Sequence, residues 1–520
     1  MTKAKKVSRE EEKISKRLAH LLYSAQNAYL VFLFILLLTV AFISLKWRIQ
    51  HDLPAVLYPG YLFMQGNIPY KEIFDINFPG SFFLYGFLAK FIGIENISLR
   101  LFDLLMLFLL SWMGWVCFGP INKKGTLFGI SSFGLFYLGD SWWLSLQREV
   151  FILLFLLFSL VLLLKNSERY NFIRFGMIGL LGGCSALIKP HALLGFLWIV
   201  IWDGFFRKPK DSAFGKRWVF AFCGFIVPWA LTIIYFQKIG ALRDWLDLTV
   251  NYLPLYGSIA GNIEVVEGSE RLLRILQGLL LTGGMFAFAG VSLLSGIVGL
   301  REHQEGRSRV LLLLGLAFAY WLYPVIPGQF WLYHWIPFVY FACLLGGLSF
   351  FSMDAPRNLR PTRVLLLAGV VLTSSLLFPT RALKEAISET NPRELARVDE
   401  MVAFLKPRLK PGDNIQPLDW TGGAIHAMLI LRAKLATRYM QDFHFYHHIS
   451  HPYIQSLRLD FITKLEREKP KFVIRVLSPD KPWVFGPDTT KEFPELNSFL
   501  SKEYVIVKEG TDYQILERKH

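Results

Sequence analysis

Charge is what this sequence has least of. Asp, Glu, Lys and Arg make up 18% of its 520 residues, against roughly 25% in ordinary soluble domains. Cysteine is scarce as well. The four present, Cys117, Cys184, Cys223 and Cys343, all lie inside apolar stretches. They form no disulfide framework and show no paired metal-ligand spacing. There is no internal repeat and no low-complexity tract. What fills the chain is apolar: 53% hydrophobic residues and 16% aromatics, including 46 Phe. Such a composition excludes a disordered chain, a disulfide-stapled miniprotein and a typical cytosolic enzyme.

The charges that exist leave long gaps. None occurs in Ala28–Leu45, Leu104–Asn122, Gly125–Gly139, Val150–Leu164, Phe175–Ile188, Pro190–Trp202, Trp218–Gln237, Ile275–Leu300, Leu311–Met353 or Val364–Thr380. Most of these approach or exceed the length of helix that crosses about 30 Å of hydrocarbon. Pro324, Pro327 and Gly328 break the longest gap into two helices, which makes eleven spans. With the N-terminus inside, the inside segments hold 23 Lys and Arg, against eleven in the outside loops, which cover a longer stretch. The positive-inside rule therefore places the N-terminus in the cytoplasm and the C-terminus beyond the membrane. Residues 1–27 read as a basic cytoplasmic leader. No small-residue cleavage site follows, so the first span reads as an anchor in the cell's inner (plasma) membrane. Most of the +16 net charge belongs to the membrane half, where inside loops face anionic lipid. Nucleic acid is not needed to explain it.

Residues 28–380 thus form a membrane domain, and residues 381–520 change to soluble composition. In the latter, Leu395, Val398, Met401, Val402 and Leu405 recur at helical spacing. Helices are also predicted over Gly423–Leu435, Leu457–Glu468 and Phe493–Ser501. Strands are predicted over Asn414–Leu418 and Phe472–Val476, with a hairpin formed by Tyr504–Lys508 and Tyr513–Glu517. The predicted architecture is an α-helical polytopic membrane protein with about eleven transmembrane helices and a C-terminal soluble α/β domain outside.

Chemistry is expected at the outer ends of the spans. The first outside loop, 47–96, contains Arg48-Ile49-Gln50-His51-Asp52 and then Tyr70-Lys71-Glu72-Ile73-Phe74-Asp75-Ile76-Asn77-Phe78-Pro79-Gly80. Its segment Ser81–Ile92 carries Phe82, Phe83, Phe87 and Phe91, a pattern suited to an interfacial helix. Asp52 and Asp75 are the candidate general bases, since burial at a bundle mouth raises carboxylate basicity. Each could equally be a solvated acid or a helix cap. Arg148, Glu149, Lys189, His191 and His334 should reach the same face. Charges at such depth usually have a partner or a task. The plainer alternatives are an Arg148–Glu149 pair, a snorkelling Lys189 and an interfacial His334. Acids and cations together suit an anionic lipid head: cations to hold phosphate, a carboxylate to take a proton. His444, His447, His448 and His451 have helical spacing that could ligate a metal, but Pro452 and the lack of further ligands favour a polar loop.

The motifs resemble those of GT-C-type glycosyltransferases in the protein O-mannosyltransferase and aminoarabinose transferase group. The resemblance rests on Asp52, Tyr70-Lys71-Glu72, Asp75-x-x-x-Pro79-Gly80, Glu149, Lys189-Pro190 after a Gly-rich span, Asn251-Tyr252, His334 beside aromatics, and Lys410-Pro411-Gly412-Asp413 in the outer domain. Phe78 stands where many relatives carry a cation, and Leu53 stands where a second acid follows the first. The resemblance implies an inverting transfer from a polyprenyl-phosphate sugar to a hydroxyl of a lipid, glycan or protein. Asp52 and Asp75 would be catalytic; Glu72, Arg148, Glu149, Lys189, His191, Asn251, Tyr252 and His334 would bind substrate. No particular cofactor is indicated, and a divalent metal stays open. The alternative is a transporter or flippase of a lipid-linked or small anionic substrate. That function calls for midplane charges or repeated broken helices, neither of which the sequence shows.

Overall fold

The computed structural model describes residues 2–139, 141–165, 171–207, 214–260, 264–266, 268–281, 285–302, 306–351, 369, 378–387, 392–477 and 484–519. Among the described residues the membrane half is mainly helical, with one short antiparallel pairing of Ile259–Ala260 and Glu264–Val265. Its main helices are α1 (Thr2–Ile43), α2 (Asp52–Met64), α3 (Pro79–Phe87), α4 (Asn96–Phe118), α5 (Lys123–Gly139), α6 (Arg148–Leu164), α7 (Asn171–Ile188), α8 (Leu193–Trp202), α9 (Phe214–Ile239), α10 (Gly268–Leu281), α11 (Met285–Glu302), α12 (Arg307–Trp321) and α13 (Ile336–Phe351). Among the described residues, five helical segments are long and apolar enough to cross a membrane: Ser24–Lys46, Asn96–Phe118, Phe214–Ile239, Arg307–Val325 and Leu332–Phe351. Phe172–Ile188 and Ala287–Val298 are shorter apolar helices. The chain is a multi-pass membrane protein.

Most charge-free stretches coincide with helices, and two differ. The stretch Ile275–Leu300, read as one span, belongs to two helices, α10 and α11. The start of α10 is polar: Arg274 pairs with Glu264 at 2.9 Å and Arg271 donates to the Gly257 carbonyl at 2.8 Å. The stretch Val364–Thr380 lies almost wholly outside the described residues. As the prolines predicted, Leu311–Met353 is two helices, with short turns at Tyr323–Val325 and Leu332–Trp335 between them.

Close helix crossings use small residues, as expected where lipid offers no hydrophobic drive to associate. At the α7–α9 crossing, a Cβ on Gly179 would lie 1.7 Å from the Ala221 carbonyl oxygen. The crossing therefore holds α7, and the Lys189 that follows it, at a fixed height.

The C-terminal domain begins after α14 (Phe378–Ile387). It contains α15 (Pro392–Leu405), α16 (Ala424–Leu431), α17 (Pro452–Glu468) and α18 (Pro494–Glu503). Its five strands are β1 (Asn414–Leu418), β2 (Lys434–Leu435), β3 (Phe472–Val476), β4 (Tyr504–Glu509) and β5 (Tyr513–Arg518), in sheet order β2-β1-β3-β5-β4. Strands β2, β1 and β3 run parallel; β5 and β4 complete the sheet antiparallel. The helix predicted over Gly423–Leu435 stops at Leu431, where Arg432 adopts φ 50° and turns the chain into β2. Ile415, Val473, Ile474, Ile515, Phe461 and Leu465 are fully buried at its centre.

This domain is fastened to the first outside loop. Arg48 forms a two-bonded pair with Asp399 at 2.6 and 2.8 Å. Tyr58 donates to the Ala433 carbonyl at 2.8 Å, and the Phe74 N–H donates to the Arg438 carbonyl at 2.7 Å. The histidine cluster, expected as a polar loop, takes part in a second fastening. His444 and His448 are buried, against Tyr252 at 2.6 Å and Ser258 at 2.7 Å respectively. Among the described residues no group of His, Cys, Asp and Glu has the arrangement of a metal site.

Candidate functional site

Lys189 ends the Gly-rich α7 and is followed by Pro190, which starts a short turn, Pro190–Ala192, ahead of α8. Proline suits the first position of such a turn because its missing N–H would have no partner there. The result is a lysine displayed at a helix end, yet only 8% exposed. Its ammonium donates to Glu149 Oε1 at 2.5 Å and lies 3.0 Å from His334 Nε2. Glu149, in the first turn of α6, is fully buried and also accepts from the Tyr323 hydroxyl at 3.2 Å.

The tautomer of His334 follows from its other nitrogen. Nδ1 lies 2.8 Å from the Gln329 carbonyl oxygen, which can only accept. In the neutral ring Nδ1 therefore carries the proton and Nε2 is the acceptor. Lys189 thus spends two of its three N–H donors on Glu149 and His334, and one remains for a ligand. The Arg148–Glu149 pairing considered from sequence does not occur; Glu149 pairs with Lys189 instead. Among the described residues, buried Arg148 Nε, Glu149 Oε2 and His191 Nε2 have no hydrogen-bond partner. Three unmatched polar atoms in one neighbourhood are what a polar ligand would satisfy.

Asp52 starts α2 beside this cluster. Its Oδ1 is 3.0 Å from His51 Nδ1, and its side chain is 22% exposed. Burial works against its ionisation, but His51, Arg148 and Lys189 more than offset this and hold the carboxyl below the usual range. Asp52 is therefore an ionised acceptor at neutral pH. Asp75 is buried, accepts from the Asn77 backbone and side chain at 3.0 and 2.7 Å, and lies within the field of Arg148. For Asp75 burial dominates and raises the pKa.

The Pro79-Gly80 pair has a packing reason. Pro79 opens α3, and Gly80 faces the end of α7. A Cβ on Gly80 would lie 2.6 Å from the Leu187 carbonyl carbon. The first loop thereby touches the backbone that carries Lys189.

Asp52, Asp75, Arg148, Glu149, Lys189, His191 and His334 are brought together. His191 stacks on Tyr323, with ring centroids 4.3 Å apart, and so reaches the cluster through that tyrosine. Three of the proposed residues are placed elsewhere. Glu72 is exposed and caps its own loop by accepting from the Ile68 N–H at 2.8 Å. Asn251 is exposed and donates to Asp247. Tyr252 joins His444 under the outer domain. Tyr323 and Tyr333 were missed: Tyr323 bonds Glu149, and the Tyr333 ring lies 5.3 Å from the Lys189 ammonium. Their place in the aromatic stretch between two spans was the available signal. His51 was also passed over, although it adjoins Asp52.

Among solved structures, the chain is similar to ArnT from Cupriavidus metallidurans bound to undecaprenyl phosphate. The two share 14% identity over 94% of this chain and 98% of the other, with a TM-score of 0.56. The chain has the GT-C fold. The GT-C architecture expected from the motifs is therefore present across both the membrane half and the outer domain. The chain also aligns with the Archaeoglobus fulgidus oligosaccharyltransferase in complex with Zn and sulfate, at 11% identity, 85% and 68% coverage and a TM-score of 0.46. With the mycobacterial arabinofuranosyltransferase AftD it shares 13% identity over 94% of this chain and 41% of that one, with a TM-score of 0.47. No family model matches the sequence, and no curated protein matches it.

Proposed function

We propose that the protein is a membrane glycosyltransferase that moves a sugar from a polyprenyl-phosphate donor to an acceptor hydroxyl on the extracytoplasmic side. The observation that carries this reading is the cluster of Asp52, Arg148, Glu149 and Lys189 in a GT-C fold, with cationic N–H donors still unused. The similar ArnT structure holds undecaprenyl phosphate, a ligand of the chemistry these cations suit. The acceptor is a lipid, glycan or protein hydroxyl, and the surrounding membrane lipids receive the donor's tail. The orientation rests on the positive-inside count, with the N-terminus cytoplasmic in the inner membrane and the C-terminal domain outside.

In the proposed reaction, Arg148 and Lys189 hold the donor phosphate. Asp52 takes the proton of the acceptor hydroxyl as its oxygen attacks the anomeric carbon. The bond from that carbon to the phosphate oxygen breaks, the phosphate leaves with the electron pair, and the configuration inverts. Charge stabilisation serves this leaving group better than a general acid would. Glu149 fixes Lys189 in place. Among the described residues, Asp52, Asp75 and Glu149 do not form a ready metal-ligand set, and no step is routed through a metal.

The test is transfer of radiolabelled sugar from a polyprenyl-phosphate donor by the purified protein. Asp52→Asn should lower turnover by roughly 10²–10⁴-fold with the protein still inserted and folded. Undiminished transfer by that variant removes Asp52 from the mechanism, and absence of transfer by the wild type under any donor sugar removes the function.

A further inference from the structure

The residue preceding Asp52 is held in an unusual way. His51 has φ 56° and ψ −112°, a left-handed conformation that residues with a Cβ rarely adopt. Such strain costs on the order of 1–3 kcal/mol and persists only where the surroundings over-determine it. Three contacts do so here. The imidazole lies against Trp143, with ring centroids 3.9 Å apart. Its Nδ1 is 3.0 Å from Asp52 Oδ1. Its backbone N–H donates to Glu394 Oε1 at 3.1 Å.

The third contact comes from the other domain. Glu394 lies in the first turn of α15, in the C-terminal α/β domain, and is 4% exposed. A buried carboxylate is expensive unless its oxygens are used. Glu394 uses one of them on the residue next to the proposed base, 343 positions away in sequence. A surface-anchoring role needs no such burial. The neighbouring Arg48–Asp399 pair does that work on the same helix from positions 33% and 57% exposed.

We infer that Glu394 is a positioning residue for the transfer reaction: through the His51 backbone it fixes the conformation that presents Asp52 to the acceptor. The outer domain is then part of the catalytic apparatus, and the base is set only when α15 is docked. This inference rests on Asp52 being the base of the proposed glycosyl transfer.

The experiment compares donor-dependent transfer by the full-length wild type, Glu394→Ala, Glu394→Gln, Arg48→Ala, Asp52→Asn and the Glu394→Ala/Asp52→Asn double variant, each checked for thermal stability in the same detergent. Glu394→Ala should lower kcat roughly 10- to 100-fold, the scale of a small misplacement of a reacting group, with the donor KM within about twofold, because no phosphate contact is touched. Glu394→Gln keeps a carbonyl acceptor and should restore most of kcat. Arg48→Ala loosens the same helix without touching His51 and should retain kcat. The double variant should be no slower than Asp52→Asn, since residues acting as a unit are not additive. An inactive wild type overturns the functional reading and this inference with it. With an active wild type, any of three results overturns the inference alone: full kcat in Glu394→Ala, an equal loss in Arg48→Ala, or additive losses in the double variant.

Discussion

Replacing Lys189 by Met separates the structural role of this side chain from the phosphate-binding role proposed for it. The first role is structural. Lys189 neutralises Glu149, which is fully buried, through a 2.5 Å contact. Among the described residues, removing it leaves Glu149 Oε1 with the Tyr323 hydroxyl at 3.2 Å and the His334 ring nitrogen at 3.7 Å. Breaking a buried pair from one side typically costs about 3–5 kcal/mol, because the remaining charge is uncompensated. Lys189→Met should therefore lower the thermal midpoint markedly and abolish transfer, an uninformative combination by itself. The Lys189→Met/Glu149→Gln double variant removes both charges. The amide carbonyl introduced by Glu149→Gln still accepts from Tyr323, so most of the stability should return. The second role, gripping donor phosphate with the third ammonium proton, is not restored. A hydrogen bond to a charged group is worth roughly 1.5–3 kcal/mol, which corresponds to about a 10- to 150-fold loss of kcat/KM for the donor. The assay is initial-rate transfer at several donor concentrations, run beside a thermal-unfolding scan. A stable double variant with kcat/KM within about threefold of wild type would show that Lys189 serves Glu149 and never meets phosphate.

Gly80→Ala should lower both stability and turnover. Its Cβ would meet the Leu187–Ile188 backbone at 2.6–2.7 Å, and overpacking of this kind costs roughly 1–3 kcal/mol. The displaced segment carries Lys189, so transfer rates should fall further than a surface Gly→Ala of equal stability loss, measured by the same scan and assay. Acidification should loosen the outer domain. Burial pushes His426 and His444 down to about 3. A folded pKa below the unfolded value of about 6.5 means stability that is present above pH 6.5 and lost as pH falls. At pH 5.5 this is about 1.4 kcal/mol for each histidine. Asp442, pushed up to about 7 by burial, works the other way, favouring the fold as pH falls from 7 towards 4. Asp442→Asn should therefore steepen the loss between pH 7.5 and 5.5, read by limited proteolysis at the Tyr252–His444 fastening; an unchanged slope would refute the assignment.

The parts that sequence made legible share a physical basis. Charge gaps show spans because an ionised group is costly in hydrocarbon wherever the fold places it. The strands Asn414–Leu418 and Phe472–Val476 were legible to the residue because the Lys410-Pro411-Gly412-Asp413 turn marks the start of the first, and because Phe472, Val473, Ile474 and Val476 are the aromatic and β-branched types that strands favour. The gathering of Glu149, Lys189 and His334 could be anticipated only as an expectation from span ends sharing one side of the membrane. Their order of pairing could not. Choosing Lys189 rather than adjacent Arg148 as the partner of Glu149 depends on where α6 and α7 pack, and consecutive residues of a helix point in different directions. Glu72 shows the converse. Its spacing fits the resemblance, but one bond to the Ile68 N–H turns it back on its own loop.

The Glu394–His51 bond was illegible for a further reason: it joins two domains whose composition marks them as separate. The composition change near residue 390 suggests an appended module. In the structure, the module instead grips the first loop at Arg48, His51, Tyr58 and Phe74, on both sides of Asp52 and just ahead of Asp75. A loop of this length between two spans would otherwise sample many conformations, and each contact removes some of that freedom before substrate arrives. Fixing roughly four points of a loop offsets conformational entropy of about 1–2 kcal/mol per ordered residue, in the unliganded protein rather than in each turnover. Preorganisation of this kind lets binding energy act at the reacting centre. Of the four contacts, the Glu394–His51 bond is the one that reaches the residue beside Asp52, whereas the partly exposed Arg48–Asp399 pair anchors α15.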